Sequence, residues 1–313
     1  MDSVDVSEIL VNRPGELWIE RIGLAGMQRV EVAEVDDTLL ERLAVQVARH
    51  SHQAVSAEHP LLAATLPSGD RVQVVAPPAT RRHWALAIRR HVAVDRVLDD
   101  YAGDPLPARA APPPLAELDA GARRDPIGFL RRAVHARCTV LASGGTSSGK
   151  TTFLASLLKE VPASERLVLV EDTPEIQVTQ PNHLGLVAVR GDQGRARVDA
   201  DDLLQAALRL RPDRILLGEI RGREAATFLR AINTGHPGSF STVHASSPEG
   251  ALDQLALMVM QAGWSLPRAE TLDYVRSLVD VVVQLARVDG QRRITDLRVL
   301  NARAGVALVG VAG

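Results

Sequence analysis

Gly144-Gly145-Thr146-Ser147-Ser148-Gly149-Lys150-Thr151-Thr152 is the stretch on which the fold turns. Its first eight residues spell G-x-x-x-x-G-K-[ST] in full. An apolar run, 139–142, precedes it directly, and the helical pattern Phe153, Leu154, Leu157, Leu158 follows directly. Glycines let the backbone curl so that successive N–H groups converge on phosphate oxygens, and the start of the helix adds partial positive charge. Lys150 is then the group for the β- and γ-phosphates, and the Thr151 hydroxyl is the Mg2+ ligand. Thr152 is a candidate contact of the α-phosphate.

Outward from the loop the chain alternates strand, loop and helix. Strands are expected at 139–142, 167–170, 184–189, 215–217 and 239–243, and helices at 151–161, 200–210, 223–233, 248–261 and 268–278. That alternation predicts a parallel sheet with helices on both faces, a fold whose ligands sit beyond the carboxyl ends of the strands. The chemistry-bearing residues stand at those ends. Ile215-Leu216-Leu217-Gly218-Glu219 is an apolar strand closing in a carboxylate, as needed to hold a hydrated Mg2+ beside the loop, so Glu219 is the metal and catalytic candidate. The strand at 167–170 runs into Glu171-Asp172-Thr173-Pro174-Glu175, where Pro174 ends it. Glu175 is the candidate for orienting or deprotonating the attacking water, while Glu171 and Asp172 also read as ordinary turn carboxylates. After Thr234-Gly235-His236-Pro237-Gly238-Ser239 the last of these strands closes with His244, placed to donate to a γ-phosphate or to the lytic water.

Residues 1–104 read as a smaller α/β domain, with strand-like pieces at 17–20 and 71–75 around a helical stretch at 37–50. Pro105, Pro107 and Pro112-Pro113-Pro114 cannot be helix interior, so 105–118 reads as an extended linker and 119–313 as the phosphate-binding domain. At 313 residues, 46% apolar and 24% charged, the chain has the make-up of two ordinary globular domains. A formal net charge of −2 argues against a surface that coats nucleic acid, and no sequence-specific nucleic-acid binding is expected. The single cysteine, Cys138, lies in an apolar run and reads as core filling; neither an internal disulfide nor a cysteine-built zinc site is open to it. No run approaches the ~20 apolar residues that cross a bilayer, and the acidic start is unlike a basic leader, so a cytoplasmic location is expected.

Four ordered boxes resemble the VirB11-type traffic ATPases of type IV secretion and conjugation systems, within the wider secretion and pilus ATPase superfamily. They are 144–152 as Walker A, 171–176 as the aspartate box, 211–222 as Walker B and 234–245 as the histidine box; 60–72 and 85–90 look like the family's N-terminal segments. The resemblance implies a RecA-like P-loop C-terminal domain, a smaller α/β N-terminal domain, and a homo-hexamer that binds ATP and Mg2+ between the two domains. It further implies ATP hydrolysis that drives macromolecule translocation and pilus biogenesis. The ring would sit peripherally on the cytoplasmic face of the inner membrane, beside secretion-system or pilus-assembly components. In relatives, arginines from the N-terminal domain or linker reach the γ-phosphate; Arg89 and Arg90 are the nearest matches, with Arg81 and Arg82 as further candidates. Arg211 and Arg221 match positions close to the nucleotide or a neighbouring subunit. A tight-adherence pilus ATPase shares all four boxes, and a nucleotide-gated assembly platform with little turnover is a further reading. The wording Gly235-His236-Pro237-Gly238 and the segment Gln193-Gly194-Arg195-Ala196-Arg197 look more like the conjugative group.

Overall fold

A computed structural model describes residues 5–92, 97–101, 114–189 and 196–301. Most of the proline-rich stretch and residues 193–195, on which part of the conjugative likeness rests, fall outside the described residues.

The N-terminal unit is built from β1 (Val6–Val11), β2 (Glu16–Arg21), β3 (Met27–Glu31), α1 (Asp37–His50), β4 (Leu61–Thr65), β5 (Arg71–Val75) and β6 (Ala85–Arg89). Its strands form one sheet in the order β3-β2-β1-β6-β5-β4, antiparallel throughout. The Asp36 side chain caps α1 by accepting from Leu39 N–H at 2.7 Å. Leu40, Ala44 and Val47 recur on one face of that helix and pack with Ile9, Leu62, Val74 and Leu86 of the sheet.

The second unit comprises α2 (Leu115–Arg124), α3 (Pro126–His135), β7 (Val140–Gly144), α4 (Lys150–Leu158), β8 (Leu167–Glu171), β9 (His183–Val187) and α5 (Ala200–Ala207). It continues with β10 (Arg214–Leu217), α6 (Glu224–Asn233), β11 (Phe240–Val243), α7 (Pro248–Gln261), α8 (Arg268–Leu278), β12 (Val281–Val288) and β13 (Gln291–Val299). The sheet order is β13-β12-β7-β11-β10-β8-β9, parallel except for β13, which returns antiparallel on β12. Side chains alternate across it: Leu141 packs with Leu203, Phe228 and Leu252 of α5, α6 and α7 on one face, whereas Val140 and Ala142 pack with Phe129, Leu154 and Leu158 of α3 and α4 on the other.

Two expectations need correcting. Residues 115–118, read as linker, open α2 instead; Pro114 occupies its N-cap, where a missing N–H breaks no helical bond, and Leu118 and Ala122 are drawn into the core. The hairpin β12–β13 is also absent from the sequence reading. Its turn, Asp289-Gly290, has φ of 52° and 79°, the left-handed pair that a two-residue hairpin joining twisted strands requires.

The two units share a buried seam. Leu10, Trp18, Val75 and Ala85 of the first sheet join Val168 and Leu186 of the second in one apolar cluster. Beside them Arg166, fully buried, donates to Asn12 Oδ1 at 2.7 Å, and Asn12 donates in turn to Asn182 Oδ1 at 3.0 Å. Burial, helped by the nearby Arg211 charge and opposed by Asp213 and Glu8, pushes the Arg166 pKa down to about 9, which leaves it charged at neutral pH.

Candidate nucleotide site

Four neighbouring strands, β7, β11, β10 and β8, run in one direction with Ser143 opposite Val243, Ser241 opposite Leu217, and Leu217 opposite Val170. The segments leaving their carboxyl ends therefore emerge along one edge, in the order phosphate loop, His244, Glu219, then 171–175. The sequence separates these groups by up to a hundred positions; the parallel register lines them up.

The loop curls through left-handed backbone at Ser147 (φ 60°) and Gly149 (φ 93°) before α4 begins at Lys150. Lys150 Nζ donates to Gly144 O and Gly145 O, both at 3.0 Å, and lies 3.4 Å from His244 Nδ1. Burial lowers the Lys150 pKa; the Glu219 charge acts against that, and Arg221 acts with it. The Ser148 hydroxyl is buried without a hydrogen-bond partner. An unsatisfied hydroxyl inside a loop of this shape fits a ligand with acceptor oxygens, since burial of such a group unpaired is costly.

His244 bridges to the carboxylate. Glu219 Oε1 lies 2.8 Å from His244 Nε2 but makes no hydrogen bond of good geometry, while Glu219 Oε2 accepts from Arg221 at 2.6 Å. Arg221 also donates to Asp172 Oδ2 at 3.2 Å, and the Glu219 hydrogen bond holds its pKa above the ordinary arginine value. Gln284 ties the edge together from β12: Ser143 donates to its Oε1 at 2.7 Å, and its amide donates to Ala245 O at 3.3 Å.

Among the described residues no three or more His, Cys, Asp or Glu side chains converge as a metal cage. Mg2+ needs none, because it keeps water and phosphate oxygens and takes only one or two protein oxygens. Thr151 and Glu219 carry oxygens of that kind and line one cleft of about 430 Å3 together with Asp172, Glu175 and Arg221. On the far side of the loop lies a second pocket of about 560 Å3, where Phe153, Leu285 and Ile294 face Ser148, Gly149 and Thr152 beside Arg292.

The sequence-derived candidates thus divide. Lys150, Thr151, Glu175, Glu219, Arg221 and His244 meet at one edge with the loop. Arg211 does not: it pairs with Glu20 and lies 3.6 Å from Glu8 and 3.5 Å from Asp213, at the seam between the units. Arg89 lies 3.5 Å from Glu8, and Arg90 donates to Val6 O at 3.4 Å, so these contacts of both are on β1. His236 donates to Pro212 O at 2.9 Å and is a structural residue whose pKa burial lowers. Glu171 is buried and accepts backbone N–H groups from Glu175 and Ile176 at 3.0 and 2.9 Å. Sequence reasoning misses Gln284 and the Arg81–Glu171 ion pair; the first could have been found from the β-branched run Val281-Val282-Val283 that opens its strand, the second not, because nothing in sequence spacing links residues 90 positions apart.

Comparison with known proteins gives the family. A family model described as Type II/IV secretion system protein matches residues 3–304. The chain belongs to that family. The type IV secretion system protein VirB11 of Bartonella henselae is 35% identical over 311 residues, covering 93% of this chain and 87% of that one. PtlH of Bordetella pertussis, another type IV secretion system protein, is 41% identical over 317 residues, covering 94% and 90%. The crystal structure of the VirB11 ATPase from the Brucella suis type IV secretion system, in complex with sulphate, superposes with a TM-score of 0.87 at 34% identity, covering 98% of this chain and 93% of that one. This family member is a secretion ATPase with a RecA-like α/β domain and an N-terminal domain, in line with the expectation from its sequence.

Proposed function

We propose that this secretion ATPase is a Mg2+-dependent homo-hexameric motor of a type IV secretion system, held peripherally at the cytoplasmic face of the inner membrane beside channel or pilus-assembly components. The observation that carries the chemistry is the contiguous set Lys150, His244 and Glu219 across the strand ends, with Thr151 on the same cleft wall. In this reading Lys150 exchanges its two loop carbonyls for β- and γ-phosphate oxygens, and the loop N–H groups hold the remaining oxygens. Thr151 and Glu219 would hold Mg2+, which would offset charge developing on the transferred phosphoryl group. Glu175 takes the proton of the attacking water, and His244 reads the γ-phosphate from beside Lys150. The nucleobase lies in the pocket between Phe153 and Ile294. Arg89, Arg90 and Arg211 match the arginines that approach the nucleotide in relatives, and they act at the contact between subunits, where a neighbour's arginine reaches the nucleotide.

Purified protein tests this directly. Lys150→Ala should lose turnover, Glu219→Gln should lose most of it while still binding nucleotide, and light scattering should give the mass of six subunits. Ordinary ATP hydrolysis by Lys150→Ala would sink the proposal for the site, and a monomer that stays monomeric with MgATP would sink that for the ring.

A further inference from the structure

We infer that Arg81, from the N-terminal unit, is a positioning residue for hydrolysis: it holds Glu171, and through Glu171 the backbone that carries Glu175. The inference rests on the role proposed above for Glu175. The connection between β5 and β6 leaves its own sheet and lies along β9, the edge strand of the ATPase sheet. Val187 N–H donates to Ala79 O at 2.9 Å, Arg81 N–H donates to Gly185 O at 3.3 Å, and Thr80 bridges Leu186 in antiparallel fashion. From this borrowed strand the Arg81 side chain crosses directly over Gly185. A Cβ at 185 would lie 2.5 Å from Arg81 Nε and 2.7 Å from its Cδ, so the crossing requires a residue without one.

Beyond Gly185 the guanidinium pairs with Glu171 Oε2 and donates to Ile176 O at 2.7 Å. Glu171 is only 4% exposed, and its other oxygen accepts the N–H groups of Glu175 and Ile176. A buried carboxylate without its cation draws in water or turns outward. Either response frees the two peptide groups that fix where Glu175 points. The Arg81 guanidinium is engaged with Glu171 and Ile176 rather than with Lys150 or the loop amides, so the effect falls on turnover and leaves nucleotide binding alone. Docking of the N-terminal unit on β9 is thereby coupled to the geometry of the water-activating carboxylate.

The test uses the full chain in its native assembly, with steady-state ATPase rates, fluorescent-nucleotide binding and thermal melting on each variant. Arg81→Ala should lower kcat about 10- to 100-fold, the scale set by misplacing a catalytic group by about an ångström, with nucleotide Kd within about twofold of the parent. Gly185→Ala keeps the guanidinium but drives it off Glu171, and should reproduce that kcat loss without a fall in nucleotide affinity. The double variant should be no worse than Arg81→Ala alone, as for two changes that break one interaction. Arg81→Lys should recover part of the rate. Glu175→Gln separates the two readings: if it is inactive while Arg81→Ala and Gly185→Ala both keep parental kcat, the coupling is wrong and the role of Glu175 stands. If Glu175→Gln hydrolyses at the parental rate, the role of Glu175 falls and the inference with it. Should Arg81→Ala fail to fold, Gly185→Ala and Arg81→Lys decide. A kcat loss matched by an equal rise in Kd would overturn the inference by showing that Arg81 acts on nucleotide itself.

Discussion

Gly144→Ala should damage the nucleotide site, whereas Gly145→Ala, one position along the same loop, should leave it intact. A Cβ at 144 would lie 2.6 Å from the backbone oxygen of Leu285 and would also overlap Ser148 Oγ. An unstrained carbon-oxygen contact needs about 3.3 Å, so something must move by about 0.7 Å. The Leu285 carbonyl is poorly placed to yield, because Leu285 pairs directly with Gly144 across β12 and β7. Overpacking of this kind costs about 1–3 kcal/mol, and if it acts on the loop geometry that binds phosphate, kcat/KM for ATP falls about 5- to 150-fold. At Gly145 nothing lies within 4 Å of the added carbon, and the backbone there is not left-handed. Steady-state kinetics and fluorescent-nucleotide binding on the two variants give the comparison. A Gly144→Ala protein within twofold of the parent, or a Gly145→Ala protein equally impaired, would refute the argument that the motif's first glycine is there to let β12 and Ser148 close on the loop.

Arg214 is fully buried and held by Glu165 through two bonds of 2.7 and 2.8 Å, so Glu165→Ala strands a buried charge at a cost of about 3–5 kcal/mol and should lower Tm by about 6–20 °C in calorimetry; a drop under about 2 °C would contradict this. Burial lowers the pKa of His183 and of His236, so below about pH 6.5 the unfolded chain binds protons that the folded chain resists, and Tm should fall as the pH drops from 7.5 to 5.5, less steeply in the double variant with glutamine at both positions. Burial raises the Glu165 pKa, but the Arg214 hydrogen bonds and charge, then Arg137, outweigh it and leave the pKa lowered; its share of stability is present above about pH 4.3 and is lost as the pH falls through the lower folded value, a second acid step that Glu165→Ala should abolish. Ile294→Asp places a charge in the apolar pocket beside Thr152 and should raise KM for ATP about tenfold with little change in kcat; an unchanged KM would remove the nucleobase from that pocket.

Much of the ATPase sheet was legible because its strands are short apolar runs bounded by helix and turn signals, as at Leu216-Leu217-Gly218. The first sheet was not. Only two of its strands can be read, since β4 has alanine at two of its five positions and β1 carries Glu8 among its apolar residues, and both are strands only because neighbours pair with them. β13 is only partly hidden: Gln291, Arg292 and Arg293 look like solvated surface, but the apolar run Val281-Val282-Val283 and the Asp289-Gly290 pair ahead of it are signals from which the hairpin could be read. The seam between the units is equally unreadable, because Asn12, Arg166 and Asn182 acquire meaning only when brought into contact.

At the site the sequence reading prefers Glu175 among the three acids of Glu171-Asp172-Thr173-Pro174-Glu175, and the partners of the three add a physical reason for that choice. Glu171 spends one oxygen on two backbone N–H groups and the other on Arg81. Asp172 is paired with Arg221 at 3.2 Å. A carboxylate so engaged has its oxygens committed to other donors and has less room to hold a water molecule. Glu175 is exposed, lines the cleft that holds Thr151 and Glu219, and makes no side-chain ion pair among the described residues. Its lone pairs remain available to a water molecule, while its backbone N–H is the group that Glu171 grips. The residue with free side-chain oxygens and a fixed main chain is the one suited to take a proton at a defined place. Strand β8 already ends at Glu171, and the two N–H groups that Glu171 accepts hold the segment after it where Glu175 lines the cleft beside Thr151.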